Sequence, residues 1–130
     1  MTMQFDLVSP ERSLASVKAN AVDIPGTEGD MTAMPQHAAL MTSLRPGIVR
    51  AVSDDTEIKV VVTGGFVEVT GENVTVLAEE AYSVDEVTDE VIEKLEAKAE
   101  AALDGKEGSS LDIAERRLAE TKALRGLLGR

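Results

Sequence analysis

The sequence predicts an all-β N-terminal sandwich followed by an α-helical C-terminal hairpin. Three observations lead there. Up to about Ala81, turn signals recur about every 8–12 residues with apolar or alternating segments between them, as in a sandwich or barrel. From Asp85 onward proline is absent, and Ala, Glu, Leu and Lys replace the β-branched runs. A polar, glycine-bearing break from Gly105 to Ser110 divides that second stretch in two. The expected division is residues 1–82 for the sandwich and 83–130 for the hairpin.

In chain order, Phe5 and Leu7 alternate with Gln4 and Asp6, and Ser9-Pro10-Glu11-Arg12 turns the chain. Val17, Ala19 and Ala21 alternate with Lys18 and Asn20. The phase then slips to Val22 and Ile24, which suggests a bulge. Pro25-Gly26 followed by Glu28-Gly29-Asp30 reads as a turn, because proline fixes φ and glycine tolerates φ > 0. Met34-Pro35-Gln36-His37 and Arg45-Pro46-Gly47 are two more. Ile48, Val49, Ala51 and Val52 form a strand ended by Ser53-Asp54-Asp55. Ile58 to Val62 is nearly all apolar, so both of its faces should be covered. Thr63-Gly64-Gly65 reads as a hairpin turn into Phe66–Val69. It does not read as a phosphate loop, since no helix with a lysine follows. Gly71-Glu72-Asn73 turns again, and Val74, Val76 and Ala78 alternate with Thr75 and Leu77.

Beyond Tyr82, Ser83-Val84-Asp85-Glu86 has the form of a capping box opening a helix. Val87, Val91, Ile92, Leu95, Ala99 and Leu103 make its apolar stripe. Ser110 is the expected cap of the second helix, on which Leu111, Ala114, Leu118, Thr121, Leu124 and Leu128 share a face, with Gly126 and Gly129 fraying its end. Two short helices are marginal alone, so the stripes must bury against each other, the sandwich or a partner. The first helix is acidic. The second carries Arg116, Arg117, Lys122, Arg125 and Arg130, either as cations offsetting the helix dipole or as a regulatory basic face for an acidic partner.

Composition bounds the function. The chain has 130 residues, enough for one domain or one domain with a small appendage. At 43% hydrophobic residues it is globular, and with 2% aromatics its core is made of Val, Leu, Ile, Ala and Met. The absence of cysteine excludes disulfides and thiolate metal sites. A net charge of −11 argues against nucleic acid and against direct binding to anionic headgroups. No basic start leads into an apolar run, so no signal peptide is expected. The apolar runs fall far short of the ~20 residues needed to span a bilayer, so a soluble chain is expected. If it works at a membrane, another protein holds it there.

His37 is the only histidine and follows two acids, Glu28 and Asp30. A metal site needs three or four ligands, and no second His or Cys supplies them. A loop histidine satisfying a backbone group is the simpler reading. A sandwich hydrolase finds no Ser-His-Asp set here.

The order IPGTEGD…MPQHAALMTSLRPGIVR, followed by TGGFVEVTGENVTVLAEEA, resembles the epsilon subunit of bacterial F-type ATP synthases. The match runs from Phe5 to Ala81 in order and spacing. Thr32, Ala33, Met34, Gln36, Ala39 and Thr63 depart from the residues common in that family. The resemblance implies an epsilon-like sandwich and hairpin and a non-catalytic subunit of the rotor's central stalk, coupling proton flow through the c-ring to ATP synthesis. It implies a peripheral place on the cytoplasmic face of the inner membrane. The partners it implies are subunit gamma and the c-ring, with alpha and beta subunits reached through the hairpin, which in many bacteria inhibits ATP hydrolysis.

Carried onto this chain, the c-ring contact residues are Asp30 and His37, with Met31 and Met34 between them. An apolar patch should meet gamma, with Val8, Leu40, Met41 and Leu44 as candidates. Some members bind ATP in the hairpin through [IL]-D-x-x-R-A. Leu111-Asp112-Ile113-Ala114 begins that motif, but Glu115 stands where the arginine should be, so no nucleotide is expected. A stand-alone ligand- or nucleotide-sensing module, with the hairpin as switch, is the alternative.

Overall fold

The computed structural model describes residues 2–129. Met1 and Arg130, the latter counted above in the basic helix, lie outside them. The strands are β1 (Met3–Val8), β2 (Ser13–Ala19), β3 (Ala21–Gly26), β4 (Gly29–Ala33), β5 (Leu40–Leu44), β6 (Gly47–Val52), β7 (Glu57–Val62), β8 (Gly65–Val69), β9 (Asn73–Ala78) and β10 (Ala81–Ser83). A 3-10 turn at Val84–Glu86 leads to α1 (Asp89–Ala101) and α2 (Gly108–Leu127).

Hydrogen bonding links the strands in the order β10-β7-β6-β3-β5-β8-β9-β1-β2, with β4 on β3. β1 and β9 run parallel, and the other pairs are antiparallel. The sheet doubles over where β3 meets β5 at the register pair Gly26–Leu44. Alternation then sends one side of every strand inward. Met3, Phe5 and Leu7 of β1 and Val74 and Val76 of β9 meet Val22, Ile24, Val49, Val60 and Val62 in one core. At ~25 cal/mol per Å2 of apolar surface removed from water, this burial is the main force holding the two layers together.

The helices fold back on the outside of β6 and β7. Val61, fully buried, Val87, Ile92 and Leu124 form a second apolar cluster, with Ile48, Tyr82, Val84 and Leu128 packed on it. The expected covering of both faces of Ile58–Val62 holds at its end, where Val60 and Val62 enter the first core and Val61 the second, whereas Lys59 on the outer face is exposed. The α2 stripe also turns inward, with Ala114, Thr121 and Leu124 buried.

Several local expectations are corrected. Pro25-Gly26 is strand, not turn. β3 runs through Gly26, and the turn is Thr27-Glu28, closed by the pair Gly26–Gly29. Proline's φ suits an extended strand, and although Pro25 donates no ladder bond its carbonyl accepts from Arg45 N at 3.0 Å. The phase slip near Val22 is a corner at Asn20, where the chain leaves β1's partner strand for β6, and the irregularity falls between Leu7 and Val8. Thr63-Gly64-Gly65 is not a hairpin turn, because β7 pairs with β6 and β10 while β8 pairs with β5 and β9. It is a corner between layers, with φ of 150° at Gly64 and 132° at Gly65. A Cβ at Gly65 would stand 2.1 Å from the Leu77 carbonyl oxygen, so only glycine fits. The Ser83–Glu86 box caps the 3-10 turn. α1 starts later, where the Thr88 hydroxyl accepts from Val91 N. α2 begins after Glu107, which puts Ser110 inside the helix.

Candidate functional site

Two surfaces and one seam gather the residues singled out in the sequence. The first surface is the outer face of β5, β8, β9 and β1. Phe66 lies directly opposite Leu77, and Leu77 opposite Val8. Met41 is on the same side of β5, opposite Glu68 and diagonal to Phe66. Opposed side chains stand about 5 Å apart and diagonal ones about 7–8 Å, so Val8, Leu77 and Phe66 form one strip with Met41 within reach of its end. Met41 is 66% exposed, Phe66 59% and Leu77 54%. Single exposed apolar residues are ordinary, but a contiguous strip on one sheet face marks a binding surface.

Of the four residues expected at the gamma contact, Val8 and Met41 lie on this strip. Leu44 does not. It is 5% exposed and belongs to the core, because β5 alternates and places it inward. Leu40 shares Leu44's side of the strand and is open only because the strand ends there. Phe66 and Leu77 were missed. Their signal was present: each is apolar but out of phase with the inward set Val67, Val69, Val74 and Val76.

The second surface is the β3–β4 hairpin and the loop after it. Asp30 sits at the start of β4, with its side chain 81% exposed and ion-paired to Arg45. Met31 is half-buried and packs on the core, whereas Met34 is exposed. The expected Met31–Met34 loop is thus mostly strand, with only Met34 beyond it. His37 lies in the turn that follows, half-buried. Its Nδ1 stands 2.7 Å from the Ala38 carbonyl, which can only accept, so Nδ1 carries the proton. The Gln36 N–H donates to the Gly71 carbonyl at 2.8 Å and ties this turn to the β8–β9 turn. Asp30 therefore lies at the start of β4 and His37 beyond its far end, with the strand spanning about 10 Å from Asp30 to Ala33. Among the described residues, no three His, Asp or Glu side chains converge as metal ligands.

The seam joins the hairpin helices to the sandwich. Arg117 donates to the Thr63 carbonyl at 2.6 Å and pairs with Glu79. Its guanidinium fills the space over Gly64 where a Cβ would be. Arg125 grips Glu96 of α1 with two bonds, 3.0 and 2.8 Å. That hydrogen bonding holds the Glu96 carboxyl below its ordinary range and raises the Arg125 guanidinium. Arg12 reaches Glu86 at 3.0 Å, which lowers Glu86, helped by the Ser83 N–H. Arg116 and Lys122 point to solvent. The four described cations of the expected basic face thus divide, two inward and two outward. A cleft of about 450 Å3 lies between the helices and the sandwich, lined by Glu79, Glu80, Lys98, Lys106, Arg117 and the buried, unpartnered Thr63 hydroxyl. Ile113 lines it too, while Asp112 and Glu115 face solvent.

No described helix is long and apolar enough to cross a membrane. A family model for the β-sandwich domain of the ATP synthase delta/epsilon chain matches residues 2–84. The ATP synthase epsilon chain of Ruegeria sp. (strain TM1040) is 50% identical over 128 residues, covering 95% of this chain and 93% of that one. That of Rhodobacter capsulatus is 52% identical over 123 residues, covering 95% and 93%. Among solved structures, a chain of the Euglena gracilis mitochondrial ATP synthase OSCP/F1/c-ring assembly superposes with a TM-score of 0.74 at 22% identity, over 98% of this chain and 81% of that one. A chain of the Tetrahymena thermophila mitochondrial ATP synthase central stalk and c-ring gives 0.72 at 16%, over 100% and 98%. The structural likenesses concern the fold alone. Half of the residues are shared with bacterial relatives along nearly the whole length, and on that basis the chain belongs to the epsilon-chain family of ATP synthases.

Proposed function

We propose that the chain is a non-catalytic central-stalk subunit of a rotary ATP synthase, coupling proton flow through the c-ring to ATP synthesis. The observation that supports this most is the exposed strip of Val8, Met41, Phe66 and Leu77 on an otherwise well-packed sandwich. It fits a protein partner, which we assign as subunit gamma. Its residues bury apolar surface on docking, while the close-packed layers behind resist compression, so torque passes through without the joint yielding. Asp30, Met31, Met34 and His37 are the contacts we assign to the c-ring loops. The chain is then peripheral on the cytoplasmic face of the inner membrane, held by its partners rather than by lipid.

The hairpin, residues 83–130, is the regulatory part. Lifting it breaks the Arg117–Glu79 pair and uncovers Val61, Ile92 and Leu124, so a raised state needs another surface to receive them. Arg117, freed of Glu79, then joins Arg116 and Lys122 in meeting acidic groups of alpha or beta. No nucleotide is assigned to the cleft, because Glu115 stands where the nucleotide motif has its arginine and Glu79 and Glu80 already hold the cleft cations Arg117 and Lys98. The alternative of a stand-alone ligand-sensing module is not favoured by relatives that are ATP synthase epsilon chains.

Reconstitution tests the proposal. Membranes carrying the synthase but stripped of this chain should regain proton-coupled ATP synthesis when the purified chain is added. If coupling is the same with and without it, the proposal fails.

A further inference from the structure

Arg45 is shared between two elements. Through Nη1 it donates to the Gly26 carbonyl at 2.5 Å, and through Nη2 to the Asp30 carboxylate, both in the β3–β4 hairpin. Its Nε stands 3.8 Å from Oε2 of Glu120 on α2. The two acidic contacts differ in kind. Asp30 takes a hydrogen bond, whereas Glu120, beyond hydrogen-bond reach, is held by charge alone. Their surroundings differ too. The Arg45 and Glu120 side chains are 26% and 25% exposed, against 81% for Asp30. A carboxylate in open solvent thus holds a largely covered cation more closely than a largely covered anion does.

We propose that Arg45 couples the β3–β4 tip to the seating of α2. A group that takes Asp30 hands Arg45 to Glu120 and tightens α2 on the sandwich. The use of this coupling in the assembled synthase rests on the reading that Asp30 meets a partner, but the coupling itself belongs to the chain alone. It is reciprocal by necessity. Lifting α2 removes Glu120, returns Arg45 wholly to Asp30 and weakens a partner's hold on the tip. The element with two states is the hairpin, seated by the small cluster around Val61 and Leu124 rather than by the main core.

Amide hydrogen exchange of α2 in the full chain tests this, with Asp30→Asn, Glu120→Gln and the double variant beside the parent. Asp30→Asn should slow α2 exchange by about 1.4- to 5-fold, the range of partly exposed ion pairs, with the sandwich amides unchanged. Glu120→Gln should speed it, and Asp30→Asn should then add nothing. Three results would overturn the inference: no slowing, equal effects in both backgrounds, or α2 amides exchanging only at the rate of the sandwich core, since no separate opening would then exist. No partner is present in this experiment. Its failure therefore leaves the docking proposal standing, and failed reconstitution leaves the coupling standing.

Discussion

Met41 and Leu44 stand three positions apart on one strand and meet opposite environments, one open to solvent and one in the core. A sequence shows that both are apolar. It does not show the strand's phase, and a shift of one residue exchanges the faces. Leu44→Ala should therefore cost about 2–5 kcal/mol of stability by leaving a cavity. Met41→Ala should stay within about 0.5 kcal/mol, as exposed positions do. Urea unfolding of the two variants checks this, and equal losses would contradict the assigned register. His37 was legible as a loop residue satisfying a backbone group, and its bond to the Ala38 carbonyl is of that kind. Its separation from Asp30 was not legible, because the intervening residues read as loop and fold as β4. His37→Ala should reduce co-sedimentation with membrane-bound synthase while leaving the far-ultraviolet dichroism unchanged. Undiminished sedimentation would remove His37 from the ring contact.

At the scale of elements, strands with strong alternation were readable, and so were the helical stripes that bury Ile92, Leu95 and Leu124. The corners were misread where one local signal serves two geometries. A Gly-Gly pair suits a hairpin, but here long-range pairing to β5 and β9 makes it a crossover. A Ser-x-x-Glu box can cap a 3-10 turn as well as a helix, and Thr88, one turn later, caps α1. The joint between α1 and α2 should depend on pH with a sign set by Glu96. The Glu96 carboxyl is lowered from its ordinary 4.5 mainly by the Arg125 hydrogen bond. Its stabilisation is then complete above that value and is lost as pH falls through the lowered folded value. Acidification below about pH 4.5 should loosen the hairpin, seen as falling helical ellipticity at 222 nm. Glu96→Gln should flatten that fall, while an identical acid profile in the variant would show that other carboxylates govern it.

At the scale of the molecule, the acidic charge, the doubled sheet and the outer apolar strip are consistent with one mechanical role. With a net charge of −11, nonspecific anionic surfaces repel the chain, so the proposed attachment to gamma would rest on shape and apolar contact. On the proposed reading the sandwich transmits force because its close-packed interior resists compression. The hairpin is joined to it by a small cluster and a few ion pairs, and on the proposed reading it moves without unfolding the rest. The central claim is that gamma binds the strip. It is tested most directly by capturing purified gamma on the immobilised chain and on the double variant Phe66→Asp, Leu77→Asp, with both confirmed folded. The account predicts capture by the parent and a loss of at least about tenfold in the variant, since two buried apolar anchors are replaced by unpaired charges. Equal capture by both, or none by the parent, would contradict it.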